Sequence, residues 1–141
     1  MTTVLEKIWL TIDALLTPLA LEYEREPAGD PNEFPALAGY SQGWARLDGD
    51  GMMTRRRLSI TIEGYVDGDG GFAPTAERAE LAAATVAALM ADETLGDLIE
   101  QIEDTDLRFT TAVLSEKRRL GFAQDFEIQF TTSRRDPALP A

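Results

Sequence analysis

The sequence predicts a single-domain α+β fold, and three observations carry that prediction. Apolar residues recur at helical spacing over residues 3–17 and again between 75 and 102, while five other segments alternate apolar with polar. The strand-like segments cluster, three before the central helices and two after, instead of alternating with helices as a doubly wound sheet requires. The 141 residues are 44% hydrophobic, and no linker or repeat divides them. That length supports one core without staples. The domain is expected to span residues 1–137, with 138–141 a disordered C-terminal end after Pro137.

In the first element Val4, Leu5, Ile8, Ile12, Leu15 and Leu16 form one helical stripe, with Trp9 at its edge. Thr3 and Glu6 have capping-box spacing, and Pro18 ends the helix. The period then switches to two. Leu19, Leu21 and Tyr23 oppose Glu22 and Glu24, which predicts a half-buried strand over 19–25. Residues 26–39 hold three prolines and two glycines and read as a long loop, mobile or used for contact. Residues 40–47 are a short strand, followed by a turn at Asp48, Gly49, Asp50 and Gly51. From 57 to 66, Leu58, Ile60, Ile62, Gly64 and Val66 share one face, and Ser59, Thr61, Glu63 and Tyr65 the other. These two runs pair as a hairpin with an extended tip.

A glycine-rich turn at 67–71 leads through Pro74 and Thr75 into an alanine-rich helix near 75–91. Its broad face of Ala79, Ala82, Ala83, Val86, Leu89 and Met90 is small enough for close packing on a sheet. Asp92, Glu93 and Thr94 break that helix. Thr94 and Asp97 then cap a second, short one holding Leu95, Leu98, Ile99 and Ile102. In the closing strands Leu107, Phe109, Thr111 and Val113 alternate first. Phe122, Phe126, Ile128 and Phe130 follow, opposite Asp125, Glu127 and Gln129, with a charged connection at 116–119. The expected architecture is a mixed or antiparallel sheet of about five strands with an extended hairpin. An N-terminal helix and two central helices cover one face. The other face, bearing Glu, Thr and Gln, meets solvent or a partner.

Composition excludes several functions. Thirteen basic against 25 acidic residues give a net charge of -12, which opposes tight binding to nucleic acid or to an anionic membrane. Cysteine and histidine are both absent. That removes disulfides, thiolate catalysis, Cys-ligated zinc, the Ser-His-Asp triad and the usual neutral-pH base. No apolar run approaches the roughly 20 residues of a membrane helix. Residues 1–7 lack the basic region and cleavage site of a secretory signal, so a soluble chain from a reducing or redox-indifferent compartment is expected. The Asp-Gly turns at 48–51 and 67–71 fail as calcium loops. Position 12 is Ser59 in one register and Arg78 in the other, where a bidentate Glu is required. The glycine-rich turn at 67–71 also lacks a Walker lysine and Rossmann spacing. The acids supply many carboxylate pairs of the kind glycosidases use, but most read as solvated surface. No catalytic residue, cofactor or metal site is expected, and an enzyme is not.

Charge placement is more informative. Seven acids and no base lie between residues 92 and 106, and five acids lie between 22 and 33 against Arg25 alone. Seven of the eleven arginines form three runs: Arg55, Arg56 and Arg57; Arg118 and Arg119; Arg134 and Arg135. These are either ordinary solvated surface or complementary faces that meet between copies of the chain. Met52 and Met53 stand together in a glycine-and-acid turn. They suit an adaptable contact surface, or a tip folded back on its own core.

The break at Asp92, Glu93, Thr94, Leu95, Gly96, Asp97 and Leu98 resembles the break between the last two helical pieces of tail terminator proteins from long-tailed bacteriophages and related tail-like particles. Asp97 stands where that pattern has a second glycine. The ending from Phe126 through Ile128 and Phe130 into Arg134, Arg135, Asp136 and Pro137 is similar to the family's final strand and its short basic Asp-Pro tail. The element order fits as well, so the resemblance covers roughly residues 3–137. It implies an α+β subunit of a six-membered ring that stops growth of the tail tube and docks the head connector. Its place would be the head-proximal end of the virion tail, after assembly in the host cytoplasm. Its partners would be further copies of itself, the tail tube protein and a head-completion or connector protein. DNA would pass through the ring. The family has no catalytic residues to carry over.

The candidate interface therefore sets Met52, Met53, Arg55, Arg56, Arg57, Arg118, Arg119, Arg134 and Arg135 against Asp97, Glu100 and Glu103. Other classes stay open. One is an acidic DNA mimic that inhibits a nucleic-acid enzyme through the 92–106 acids. Another is a head–tail adaptor or tail tube subunit. A third is a small metal-independent enzyme, for which the sequence offers no compact constellation.

Overall fold

Residues 2–141 are described by the structure, a computed structural model. The chain runs α1 (Val4–Leu16), a 3-10 turn (Thr17–Leu19), β1 (Glu22–Arg25), β2 (Ala36–Gly49), β3 (Met53–Tyr65), α2 (Phe72–Met90), β4 (Gln101–Leu114) and β5 (Lys117–Ser133). The five strands form one sheet in the order β1-β2-β3-β5-β4. Only β1 and β2 pair in parallel, so the sheet is mixed and the fold is α+β.

The core lies between the sheet and both helices. Alternation in β3 and β5 puts Leu58, Ile60, Ile62, Phe122, Phe126, Ile128 and Phe130 on the helix side, all essentially solvent-free. Ser59, Thr61, Glu63, Asp125, Glu127 and Gln129 fall on the opposite face, which no helix covers. Both faces follow the predicted alternation. The two hairpins run past the rest of the sheet at diagonally opposite corners. β4 ends its pairing at Gln129, leaving β3 and β5 to continue to Met53 and Ser133 beside the tip of β2. At the other end, β4 and β5 continue past Tyr65 to their own turn.

Thr3 caps α1 as its spacing predicts, its hydroxyl oxygen accepting from the Glu6 amide at 3.0 Å. The Glu6 carboxylate instead binds Arg25. Trp9 is buried rather than at the edge of the stripe, because Gly39 beneath it has no side chain. A Cβ at 39 would approach the Trp9 ring to 2.8 Å.

The predicted second central helix is absent, and residues 91–98 form turns instead. The Asp92 carboxylate accepts from the amides of Thr94 and Gly96 at 3.1 and 2.8 Å, which curls the chain. Leu95, Gly96 and Asp97 have φ of 47°, 70° and 65°, left-handed values that no right-handed helix accommodates. Leu95, Ile99 and Ile102 are nonetheless buried, Ile102 from within β4. One face is thus covered by two helices and this turn.

Strand and helix boundaries differ from the predicted ones in a consistent direction. β2, β3, β4 and β5 are all longer than their apolar alternation: β3 and β5 continue through polar hairpin ends, β2 takes in 36–39 of the predicted loop by pairing with both β1 and β3, and β4 takes in 101–106 by pairing with β5. β1 is shorter, since the 3-10 turn takes up Leu19. α2 starts at Phe72, with Pro74 in its first turn, where a missing amide costs nothing. Its packed stripe is Leu81, Ala82, Thr85 and Leu89, while Ala79 and Ala83 of the predicted face are exposed. Burying the two leucines removes more apolar area than burying those alanines, so the helix is rolled toward them. The last residues lie along the end of β5: Ser133 donates to the Leu139 carbonyl at 2.9 Å, and Val4 to that of Ala138 at 3.0 Å.

Candidate functional site

The β2–β3 hairpin tip and the flank of β4 carry the surface features with no structural duty in the core. β1 covers β2 only as far as Gly39, so residues 40–49 form an open sheet edge. Trp44 packs edge-on against Phe130 at 6.0 Å, and the Arg56 guanidinium lies 5.4 Å over its ring. At the turn, the Asp50 carboxylate accepts from the amides of Met52 and Met53 at 2.7 and 2.9 Å. Those hydrogen bonds hold its pKa below the usual carboxylate value. Arg134, just after the end of β5, braces the turn, donating to the Asp50 carbonyl at 3.0 Å. Met52 is 84% exposed and Met53 36%, so the tip is not folded back on its own core.

The predicted arginine runs do not form one surface. Arg134 shares the hairpin corner with Arg55, Arg56 and Arg57, its amide donating to the Met52 carbonyl at 3.1 Å, and Arg135 follows it. Arg118 sits at the opposite corner, at the start of β5. Arg119 is withdrawn from the surface. It is 7% exposed, stacks 3.6 Å over Phe34, donates to Asp67 and bonds the Leu114 carbonyl at 3.2 Å. Its duty is to tie the β4–β5 hairpin to the 67–71 turn and the 26–35 loop, which removes it from the candidate interface.

The acids are likewise redistributed. Arg55 and Glu100, assigned to opposite sides of an interface, pair within one chain at 3.2 Å, and Arg55 also lies 3.5 Å from Asp48. Asp97 is exposed on the left-handed turn, and Glu103 stands beside Glu127 on the bare face of the sheet. The 92–106 acids therefore follow a turn and a strand rather than a helix.

That bare face is ordered around Asp125. Its carboxylate accepts from Thr61 Oγ1 at 2.7 Å and from Arg108 at 2.6 and 3.2 Å. The Arg108 hydrogen bonds hold Asp125 below the usual carboxylate pKa, so it is a poor base for activating the Thr61 hydroxyl. Glu63, Glu103 and Glu127 surround it, with Arg57 farther along β3. Among the described residues, no three or more acids are grouped to hold a metal ion.

The flank of β4 depends on a bulge. Asp104 pairs with Phe126 and Leu107 with Gln124, so Thr105 and Asp106 together oppose Asp125. The extra residue reverses the alternation and turns Leu107, Phe109, Thr111 and Val113 to the helix side. α2, rolled toward β3 and β5, does not cover them. Leu107, Phe109 and Val113 are 44%, 55% and 70% exposed. Between helix and strand lies an open groove of about 570 Å³, lined by Ala79, Ala83, Val86, Leu107 and Phe109, with Asp104 at its border. Arg78 stacks 4.5 Å over Phe109. Sequence reasoning missed this groove. Its one signal was an alanine face on α2 wider than a sheet contact needs. No family model and no curated protein matches the chain.

Proposed function

We propose that the chain is a structural subunit of a phage-like tail, assembling head-to-tail into a ring that caps the tail tube and forms the head–tail joint. The observation that carries this reading is the division of the sheet into two unlike faces. One face holds both helices and the core; the other, covered by no helix and crossed at its Tyr65 end by the 26–35 loop, carries Asp48, Glu63, Glu103, Asp125 and Glu127 against Arg55, Arg57 and Arg108. Turned inward, such a face suits the wall of a conduit for DNA, because fixed carboxylates repel phosphates. The element order, with an N-terminal helix, a long hairpin, a central helix and two closing strands, follows the plan implied by the tail terminator resemblance except that the plan's second central helical piece is a turn here. Opposite corners of the sheet carry different patches, as a heterologous ring contact requires. The same bare face disfavours a DNA mimic, since Arg108 sits at its centre.

The test is polymerisation of a tail tube protein with and without this chain, followed by electron microscopy. Capping predicts shorter tubes with ring-shaped density at one end. Tubes of unchanged length with bare ends would overturn the assignment.

A further inference from the structure

We propose that the β2–β3 tip of one copy seats in the α2–β4 groove of the next, so that Met52 and Met53 meet Ala83, Val86 and Leu107. This deepens the ring reading and rests on it. The tip presents two methionines, 84% and 36% exposed, on a turn stiffened by Asp50 and Arg134. Thioether side chains adapt to a shallow apolar surface, and the groove offers one between small alanines and two half-exposed large side chains.

Charge selects the same pairing. In a chain of net charge -12, residues 44–57 carry four arginines against two aspartates, and Arg134 and Arg135 adjoin them. Asp104 lines the groove, while Glu103 lies on the other face of the strand, Asp106 is paired with Arg108 at 3.1 Å, and Arg78 stacks on Phe109 at the groove wall. Arg46, opposite Arg56 on the helix side of β2, has no ion-pair partner among the described residues, so it remains available to Asp104. A copy cannot fill its own groove, because β3 and β5 lie between β2 and β4. The contact is therefore heterologous and propagates. Continuous pairing of the open edges of β2 and β4 is the competing contact. β2 has pairing irregularities between Ser41 and Trp44 and between Arg46 and Asp48, and β4 has its bulge at 104–107. Such breaks are the usual protection against edge-to-edge addition.

Two variants test the proposal in sedimentation velocity: Met52→Asp with Met53→Asp on the tip, and Ala83→Asp in the groove. All three positions are at the surface, and an unchanged melting temperature by circular dichroism checks that both variants fold. Each variant alone should run as a monomer, with association weakened about 30-fold or more, the loss typical of a buried interface anchor. An equimolar mixture should form a 1:1 dimer that grows no further, because the one intact tip and the one intact groove are used in that contact and only the altered ones remain free. No dimer in the mixture, or wild-type assembly by either variant alone, overturns tip insertion. A ring that ignores both substitutions refutes this contact but leaves ring formation standing. A wild type that stays monomeric, alone and with tube protein, refutes both.

Discussion

Arg25 holds the short edge of the sheet to the first helix. Its guanidinium forms a two-pronged bond with the Glu6 carboxylate at 2.7 and 2.8 Å and reaches Asp13 at 3.3 Å. It lies 5.7 Å over the Trp9 ring, while the Tyr23 hydroxyl donates to Asp13 at 2.5 Å. Burial, then the Asp13 bond, pushes the Tyr23 phenol far above its usual pKa, so it stays protonated and keeps donating. In the sequence Arg25 reads only as a lone base among acids, since a partner 19 residues away on another element leaves no local pattern. Planar two-pronged pairing is worth more than an ordinary surface ion pair, but Glu6 is 42% exposed and screened. Replacing Arg25 by Ala should therefore cost about 1–2 kcal/mol in urea unfolding at pH 7. The Arg25 hydrogen bond lowers the folded-state pKa of Glu6 below its ordinary 4.5. The stabilisation is thus present above that value and lost as pH falls through the lowered one. The gap between wild type and Arg25→Ala should narrow between roughly pH 5 and pH 3. A gap constant over that range would detach Arg25 from Glu6.

Elements were legible where one side of a segment is dry and the other wet. β3 and β5 satisfy that condition along their length, and their alternation identified the core residues directly. The turn after α2 shows what periodicity cannot carry. Leu95, Leu98, Ile99 and Ile102 have helical spacing and three of them are buried, yet left-handed φ at 95–97 routes them through a turn and a strand. Gly96 was the sole local sign, and Asp97 adopts φ 65°, a conformation a second glycine would hold without strain. The bulge at 104–107 was equally hidden, because three exposed polar residues have no phase. The β3–β5 contact makes a sharper test of packing. Gly64 lies under Phe122, where a methyl would overlap the ring and press on Leu37 Cδ2 at 3.0 Å. Phe122 is solvent-free in the core and cannot swing away. Gly64→Ala should destabilise by about 1–3 kcal/mol through overpacking, despite adding apolar bulk to a strand. An unchanged urea midpoint would show that the ring repacks freely.

For the whole molecule, charge and exposed apolar surface point the same way. Identical copies of net charge -12 repel unless unlike patches face one another. The structure separates a basic, methionine-tipped corner from an acidic strand beside an apolar groove. The charge runs were visible in the sequence, but their partition was not. Arg55 and Glu100 neutralise each other at home, and Arg119 serves its own hairpin, because strand register rather than sequence clustering decides which charges adjoin. In the proposed contact, rim pairs would contribute only about 0–1 kcal/mol each, so apolar contact would supply most of the affinity while charges set register. Native mass spectrometry of the purified chain across protomer concentration tests self-assembly most directly. A head-to-tail contact that closes predicts monomer giving way to one dominant closed species, of six copies if the tail terminator resemblance holds. Monomer at every concentration, alone and with tail tube protein added, or an open ladder of oligomers with no preferred size, would contradict it.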